Sequence, residues 1–423
     1  MSSQPQRLLA AEITAVTPLR VTVLCGFFGA GKSTLLREAI AHRGQARLAV
    51  LVHDRSDASL DDAECRAGAV EVFRLGETMA ELVQRCAGCS LRDSLTDAIV
   101  AIARLQRFDR LIIECSGLVE PIMAAEVFND ALAEQTPLAS LARLDHLVTV
   151  VDTLCFWEDL HSADDLQARG LSCGADDGRT VSALLVEQVE YSTLLVLAKS
   201  EGVATAKIKR IVTLLGCLNP EADVLTASRG IAVAERVLSG RVQAQEPVSF
   251  QPGWTKLVEE APMPGLRSAA WTTGVFRATR PFHPERLWQL IEQDWLGVER
   301  CKGYFWLASQ PDRCFLWSQT AGVRHYECLG DWWVSTPRDE WPTDDEFQEI
   351  LGRQWTVEFG DRRQVLAYIG YRLDREGLLR RLEACLLTSS EVLLGEAAWQ
   401  QFEDPFARAT QEAASRDEEP DSN

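Results

Sequence analysis

A chain of 423 residues exceeds one ordinary domain, and 46% apolar with 25% charged residues is the balance of a folded globular protein, not of a disordered, collagenous or membrane chain. A formal net charge of −19 repels phosphate backbones and anionic lipid, so nucleic acid and membranes are disfavoured as partners and cationic or neutral ones are favoured. Twelve cysteines, mostly scattered (Cys25, Cys65, Cys155, Cys173, Cys217), lack the density of a secreted disulfide scaffold.

Residues 1–18 read as an N-terminal extension without the apolar core of a signal peptide, and no later run approaches the roughly 18 apolar residues of a membrane span, so a cytoplasmic location is expected. From residue 19 to 240, short β-branched runs alternate with helical patterns: RVTVLCG, RLAVLVHD, RLIIECSG, DHLVTVVD, STLLVLAKS and ADVLTAS. That alternation predicts an α/β domain with a mainly parallel sheet covered on both faces. Residues 241–268 are polar and carry four prolines, which reads as a linker. Ten of the twelve tryptophans follow it, and WTTGVFRA, CKGYFWLAS, CFLWSQ and RQVLAYIGYRL alternate with the helical ERLWQLIEQ and GLLRRLEACLL. A smaller α+β domain over 269–406 is expected, followed by a disordered acidic tail, 407–423.

GFFGAGKST, Gly26 to Thr34, fits G-x-x-x-x-G-K-[ST] between a predicted strand and a predicted helix. Glycines Gly26, Gly29 and Gly31, with Ala30, let backbone amides close around phosphates, and the helix start at Lys32, Ser33 and Thr34 adds its dipole. Lys32 is placed to reach the β and γ phosphates, and Ser33 to ligate Mg2+. IIECSG supplies the companion acid: Glu114 ends an apolar run as the second Mg2+ residue, and Gly117 offers an amide to the γ-phosphate.

Two further stretches carry chemistry. In RCAGCSLRD, Cys86 and Cys89 stand at a predicted helix start, with Leu91, Leu95, Ile99 and Ile102 following at helical spacing. Metal binding, a packing role and redox chemistry all remain open for this pair, because a helix start lowers a thiol pKa but no thioredoxin-like context accompanies it. His283, at another predicted helix start, and His325 with Cys328, in a predicted strand, read as structural residues. Trp332 and Trp333 read as core and surface of the small domain, with an aromatic patch able to dock a partner.

These segments together resemble the CobW-like family of GTPases, which includes cobalamin-synthesis proteins, nitrile hydratase activators and zinc metallochaperones. RLDHLVTVVD, RPFHPERLW, KGYFWLA, LWSQ and GDRRQ are similar to its zinc-related branch. The resemblance implies GTP and Mg2+ as ligands and GTP hydrolysis that gates delivery of a metal, Zn2+, to a client metalloprotein, and turnover is expected to be slow because no arginine finger or water-positioning glutamine is identifiable in the sequence; a homo-oligomer is compatible with it. It also implies where this chain departs from the family. The usual N-E-F-G-E-x-x-x-D reads HDRSDASLD here, which puts His53 and Asp54 in place of Asn and Glu and keeps Asp57 and Asp61. The usual G-C-x-C-C-T-L-R reads with Gly88 in place of the middle cysteine, leaving Cys86 and Cys89 to be completed by Asp54 and Asp57, with Glu81 or His53 as lesser candidates. The base-recognising N-K-x-D reads A-K-S-E: Lys199 is kept, Glu201 replaces Asp, and Ala198 lacks the amide, so guanine preference is weakened. Ser228, in ASRG, matches the last base-side loop. Two alternatives to a GTP-driven metallochaperone stand beside it: a P-loop ATPase or kinase with relaxed base choice, and a non-enzymatic nucleotide-binding relative that serves as a partner-binding module.

Overall fold

A computed structural model describes residues 17–53, 69–75, 87–171, 177–239, 251–261, 263 and 269–409. The chain divides into two compact units, residues 1–150 with 229–249, and residues 151–228 with 250–423.

The elements run in order β1 (Leu19–Cys25), α1 (Lys32–Ala41), β2 (Leu48–Val52), β3 (Val70–Arg74), α2 (Ala87–Arg104), β4 (Arg110–Glu114), α3 (Pro121–Ala133), α4 (Pro137–Leu141) and β5 (Ala142–Asp152). Then follow α5 (Phe156–Leu160), α6 (Val181–Glu190), β6 (Leu194–Ala198), α7 (Thr205–Leu218), β7 (Asp223–Thr226), α8 (Ile231–Ser239) and α9 (Gly253–Val258). Seven strands form one sheet in the order β3-β2-β4-β1-β5-β6-β7, and the β1–β4, β1–β5, β2–β3, β2–β4 and β6–β7 pairings are parallel. All six apolar runs anticipated from the sequence are strands here. β2 and β6 are buried at every position, as strands covered on both faces must be. The additional strand, β3, is an edge: of VEVFR only Val70 is buried, and its alternating charges hid it among the more apolar runs.

The second half carries β8 (Trp271–Ala278), α10 (Pro284–Ile291), β9 (Val298–Leu307), β10 (Gln310–Thr320), β11 (Val323–Asp331), α11 (Asp345–Gln354), β12 (Gln364–Tyr371), α12 (Arg375–Cys385), α13 (Ser389–Val392) and α14 (Glu396–Trp399). Its five strands are antiparallel in the order β11-β10-β9-β12-β8. Leu287, Leu290 and Ile291 of α10 and Leu378 and Leu382 of α12 cover one face, against Phe305, Trp317 and Tyr368. On the other face Trp271 and Ile369 enter a core with Phe156, Val189, Leu197 and Leu215, all within the second unit. A fully buried ion pair crosses that core: Arg300 Nε and Nη2 donate to Glu190 Oε1 and Oε2 at 2.9 and 3.1 Å. Within the stretch read as a linker, Gly253–Val258 form α9, whose Trp254 is buried. Residues 410–423, most of the expected tail, and residues 1–16 of the N-terminal extension lie outside the described residues.

Candidate nucleotide site

β1 ends at Cys25 and the chain turns through Gly26, Gly29 and Gly31, at φ 135°, 69° and 110°, before α1 begins at Lys32. These are left-handed values that favour glycine. At Gly26 space also decides, because a Cβ would lie 2.5 Å from the Val150 carbonyl oxygen of the neighbouring strand. The turn holds its shape through the Ala30 amide, which donates to the Phe27 carbonyl at 3.2 Å. Apolar Leu35, Leu36, Ala39 and Ile40 bury one side of α1 and fix its direction, so the helix N-terminus faces the loop it follows. Lys32 is buried, and its Nζ donates to the Gly26 and Phe27 carbonyls at 2.9 and 3.3 Å.

β4 lies beside β1 with Leu24 opposite Glu114, which brings the acid to the mouth of the loop. Ser33 Oγ donates to Glu114 Oε1 at 2.6 Å, and Glu114 is only 2% exposed. A hydroxyl and a carboxylate held together beside a helix N-terminus form the hard-oxygen pair that Mg2+ prefers, so these residues fit that ion. The backbone here is pinned from both sides: the Cys115 amide donates to the Leu24 carbonyl at 3.0 Å and the His53 amide to the Glu114 carbonyl at 2.9 Å. Gly117 is required by proximity, since a Cβ there would sit 2.8 Å from the Phe28 amide nitrogen and ring. Phe28 was not singled out from the sequence; it packs edge-on to Phe27 and has Lys32 Nζ 5.9 Å from its ring centre. Cys25 and Cys115 are also neighbours, and the Cys115 thiol together with burial pushes the Cys25 pKa well up.

The base-side residues lie in the second unit. Lys199 follows β6 at φ 54°, and its Nζ donates to Asp152 Oδ2 at 2.6 Å. Thr153 donates twice to the Ala198 carbonyl, from its amide at 3.1 Å and its hydroxyl at 2.8 Å. Asp152 and Thr153 therefore set the start of the A-K-S-E loop; the acid closing DHLVTVVD was the available signal for them. Glu201 and Ser228 are exposed, and the Ser228 hydroxyl bonds Thr226 Oγ1 at 3.4 Å.

Of the expected zinc ligands, Asp54, Asp57 and Cys86 lie outside the described residues, as do Asp61 and Glu81; Cys89 is described only as backbone in the first turn of α2. Among the described residues no three His, Cys, Asp or Glu side chains group to hold a metal. His53 sits where β2 gives way to the Asp54 segment, lining a small gap with Arg92, Leu95 and Cys115. His283 is the cap of α10, stacks on Phe402 at 4.7 Å between ring centres, and has its pKa pushed down by burial. His325 lies in β11 opposite Ser318, and Cys328 Sγ contacts the Gly330 carbonyl at 3.8 Å.

The strand–loop–helix turn with Lys32, Ser33 and Glu114 defines a P-loop nucleotide-binding protein. Residues 20–226 match the CobW/HypB/UreG nucleotide-binding domain, and residues 271–386 the cobalamin synthesis protein cobW C-terminal domain. The zinc-regulated GTPase metalloprotein activator 1 of Dictyostelium discoideum is 31% identical over 418 residues, covering 96% of this chain and 87% of the relative. A zinc chaperone of Mycobacterium tuberculosis is 27% identical over 341 residues, 78% of this chain and 79% of the relative. The crystal structure of Zn(II)-bound YjiA GTPase from E. coli aligns at a TM-score of 0.37 and 18% identity, covering 88% of this chain and 100% of that one. The chain belongs to the CobW family. Among the described residues no helix is long and apolar enough to cross a membrane.

Proposed function

We propose that this protein is a GTPase whose nucleotide cycle gates the binding and release of Zn2+ for a client metalloprotein. The observation that carries the reading is the Ser33–Glu114 contact of 2.6 Å beside an intact phosphate loop, in a chain related along 96% of its length to a zinc-regulated GTPase metalloprotein activator. On GTP binding, Lys32 exchanges the Gly26 and Phe27 carbonyls for phosphate oxygens, and amides of the loop and of Gly117 receive the rest. Ser33 and Glu114 would hold Mg2+, which would supply charge neutralisation at the phosphates. Lys199, Glu201 and Ser228 serve the base, with guanine preference weakened at Ala198.

The coupling to metal runs through β2. Val52 lies opposite Glu114 and the next amide, His53, donates to the Glu114 carbonyl, which ties the end of β2 to the Mg2+ carboxylate one residue before Asp54 in the sequence. Ordering of the Asp54–Asp57 segment by nucleotide would complete a mixed thiolate–carboxylate site with Cys86 and Cys89, and hydrolysis would release it. Binding there should fall with acid, because protons compete for thiolates. Calorimetric titration tests the proposal: GTP should tighten Zn2+ binding in the wild type and not in Lys32→Ala. Unchanged Zn2+ affinity in Cys86→Ala/Cys89→Ala would sink it.

A further inference from the structure

Between β11 and β12 the chain makes a detour, residues 332–361, built around α11 and tryptophans. It leaves an open pocket of about 190 Å³ lined by Tyr304, Trp332, Trp333, Phe347, Ile350 and Leu351. A cavity near ~150 Å³ admits a benzene-sized group, so this one takes a whole apolar side chain. Asp331, Asp361 and Arg363 also line it, and apolar residues nearby are uncovered: Ile350 is 46% exposed, Val334 and Trp355 36% each, and Val357 fully. Of α11, only Leu351 is buried. Trp333, Trp341, Trp355 and Phe347 continue the surface as neighbouring rings with centroids 4.9 to 6.4 Å apart.

Charge identifies the occupant. The detour holds eight acidic residues, and Asp331 before it makes nine, against Arg338 and Arg353 within it and Arg363 at the pocket, so the stretch is far more anionic than the chain average. Four of the nine have internal duties: Asp331 pairs with Arg313 at 3.1 Å, Glu349 pairs with Arg353, Asp344 caps α11, and Asp361 accepts the Trp333 and Val334 amides. Asp339, Glu340, Asp345, Glu346 and Glu358 are exposed and pair with no cation among the described residues. The aromatic faces already accept guanidinium groups internally, Arg338 over Trp341 at 5.0 Å and Arg363 over Trp332 at 5.7 Å.

We infer that this aromatic pocket and its carboxylate rim dock a basic segment of a partner protein, with one apolar side chain seated among Trp332, Trp333 and Phe347 and flanking lysines or arginines on the rim. The inference deepens the client half of the proposed function. GTP turnover, measured in parallel, separates its failure from failure of the nucleotide reading.

The probe is a fluorescein-labelled peptide of alternating lysine, leucine and arginine, followed by anisotropy, with a glutamate–leucine peptide as control. Trp333→Ala and Ile350→Ser should each weaken binding by at least about tenfold, the scale of an interface anchor. Asp345→Asn/Glu346→Gln/Glu358→Gln should weaken it as much and flatten its salt dependence, whereas Glu259→Gln/Glu376→Gln/Glu383→Gln should not. Circular dichroism checks folding, and if Trp333→Ala unfolds, Ile350→Ser and the charge variants still decide. Equal weakening by both charge triples would mean general attraction to an acidic protein and would overturn the inference, as would no binding. Self-association of the wild type that Ile350→Ser abolishes would assign the patch to a second copy, with the same result.

Discussion

Glu190→Gln should be among the most destabilising single changes in the second unit. Arg300 and Glu190 are 2% and 1% exposed as side chains, and both guanidinium donors facing the acid are matched by its two oxygens. The amide keeps the volume but removes the charge and turns an N–H group toward an N–H donor, leaving the guanidinium buried without its counter-ion. Such a break costs roughly 3–5 kcal/mol. The lower end applies here, because Arg300 Nη1 keeps Ser318 Oγ at 2.8 Å and so retains part of its solvation. About 3 kcal/mol is a more than hundredfold shift in the folding equilibrium. Tryptophan fluorescence during urea unfolding is the assay, since all twelve tryptophans belong to the second unit. Glu190→Leu/Arg300→Met should recover at least half of the loss, because a pair removed together leaves no stranded charge. A loss below about 1 kcal/mol in the single variant, or a double variant as costly as its two singles added, would refute the reasoning.

Gly117→Ala should lower GTP affinity and cost about 1–3 kcal/mol of stability, because the Phe28 ring can turn away from a new Cβ but the Phe28 amide nitrogen, 2.8 Å from it, cannot; nucleotide titration and thermal unfolding read the two effects. Ala198→Asn/Glu201→Asp should raise the GTP-to-ATP affinity ratio by about tenfold or more, by restoring the side-chain amide at 198 and drawing the carboxylate at 201 back by one methylene; an unchanged ratio in competition binding would remove those residues from base recognition. His161 Nε2 lies 2.9 Å from Glu299 Oε2, and that carboxylate raises the histidine pKa against the opposing effect of burial. A raised folded pKa places the stabilisation below the unfolded value of about 6.5 and removes it as pH rises through the folded value. His161→Ala should therefore be more destabilising near about pH 5.5 than near about pH 9, and equal losses at both in urea titrations would contradict the assignment.

The phosphate loop was legible because its requirements are local: three glycines at left-handed φ, a lysine and a hydroxyl within one turn, between two elements with plain periodicity. Strands buried on both faces were legible for the same reason. What escaped the sequence involves partners distant in the chain or elements with mixed polarity. Edge strand β3 alternates charge with apolar residues, and α9 lies among prolines, so neither announces itself. Asp152 and Lys199 are 47 positions apart, and Glu190 and Arg300 are 110 apart; each charge read alone resembles a solvated residue at the end of an element. Cys25 and Cys115 looked like isolated small residues until parallel pairing of β1 and β4, with Leu24 opposite Glu114, made them neighbours just past those ends. The detour at 332–361 was visible as tryptophans, but its pocket depends on how α11 packs.

The central claim is that nucleotide occupancy controls metal occupancy. Protein purified without chelator, loaded with one equivalent of Zn2+ and passed through a desalting column with GDP or with a non-hydrolysable GTP analogue, tests it by metal content. The account predicts retained zinc with the analogue, loss with GDP, and no difference between the two in Lys32→Ala. Equal retention with both nucleotides in the wild type would contradict it.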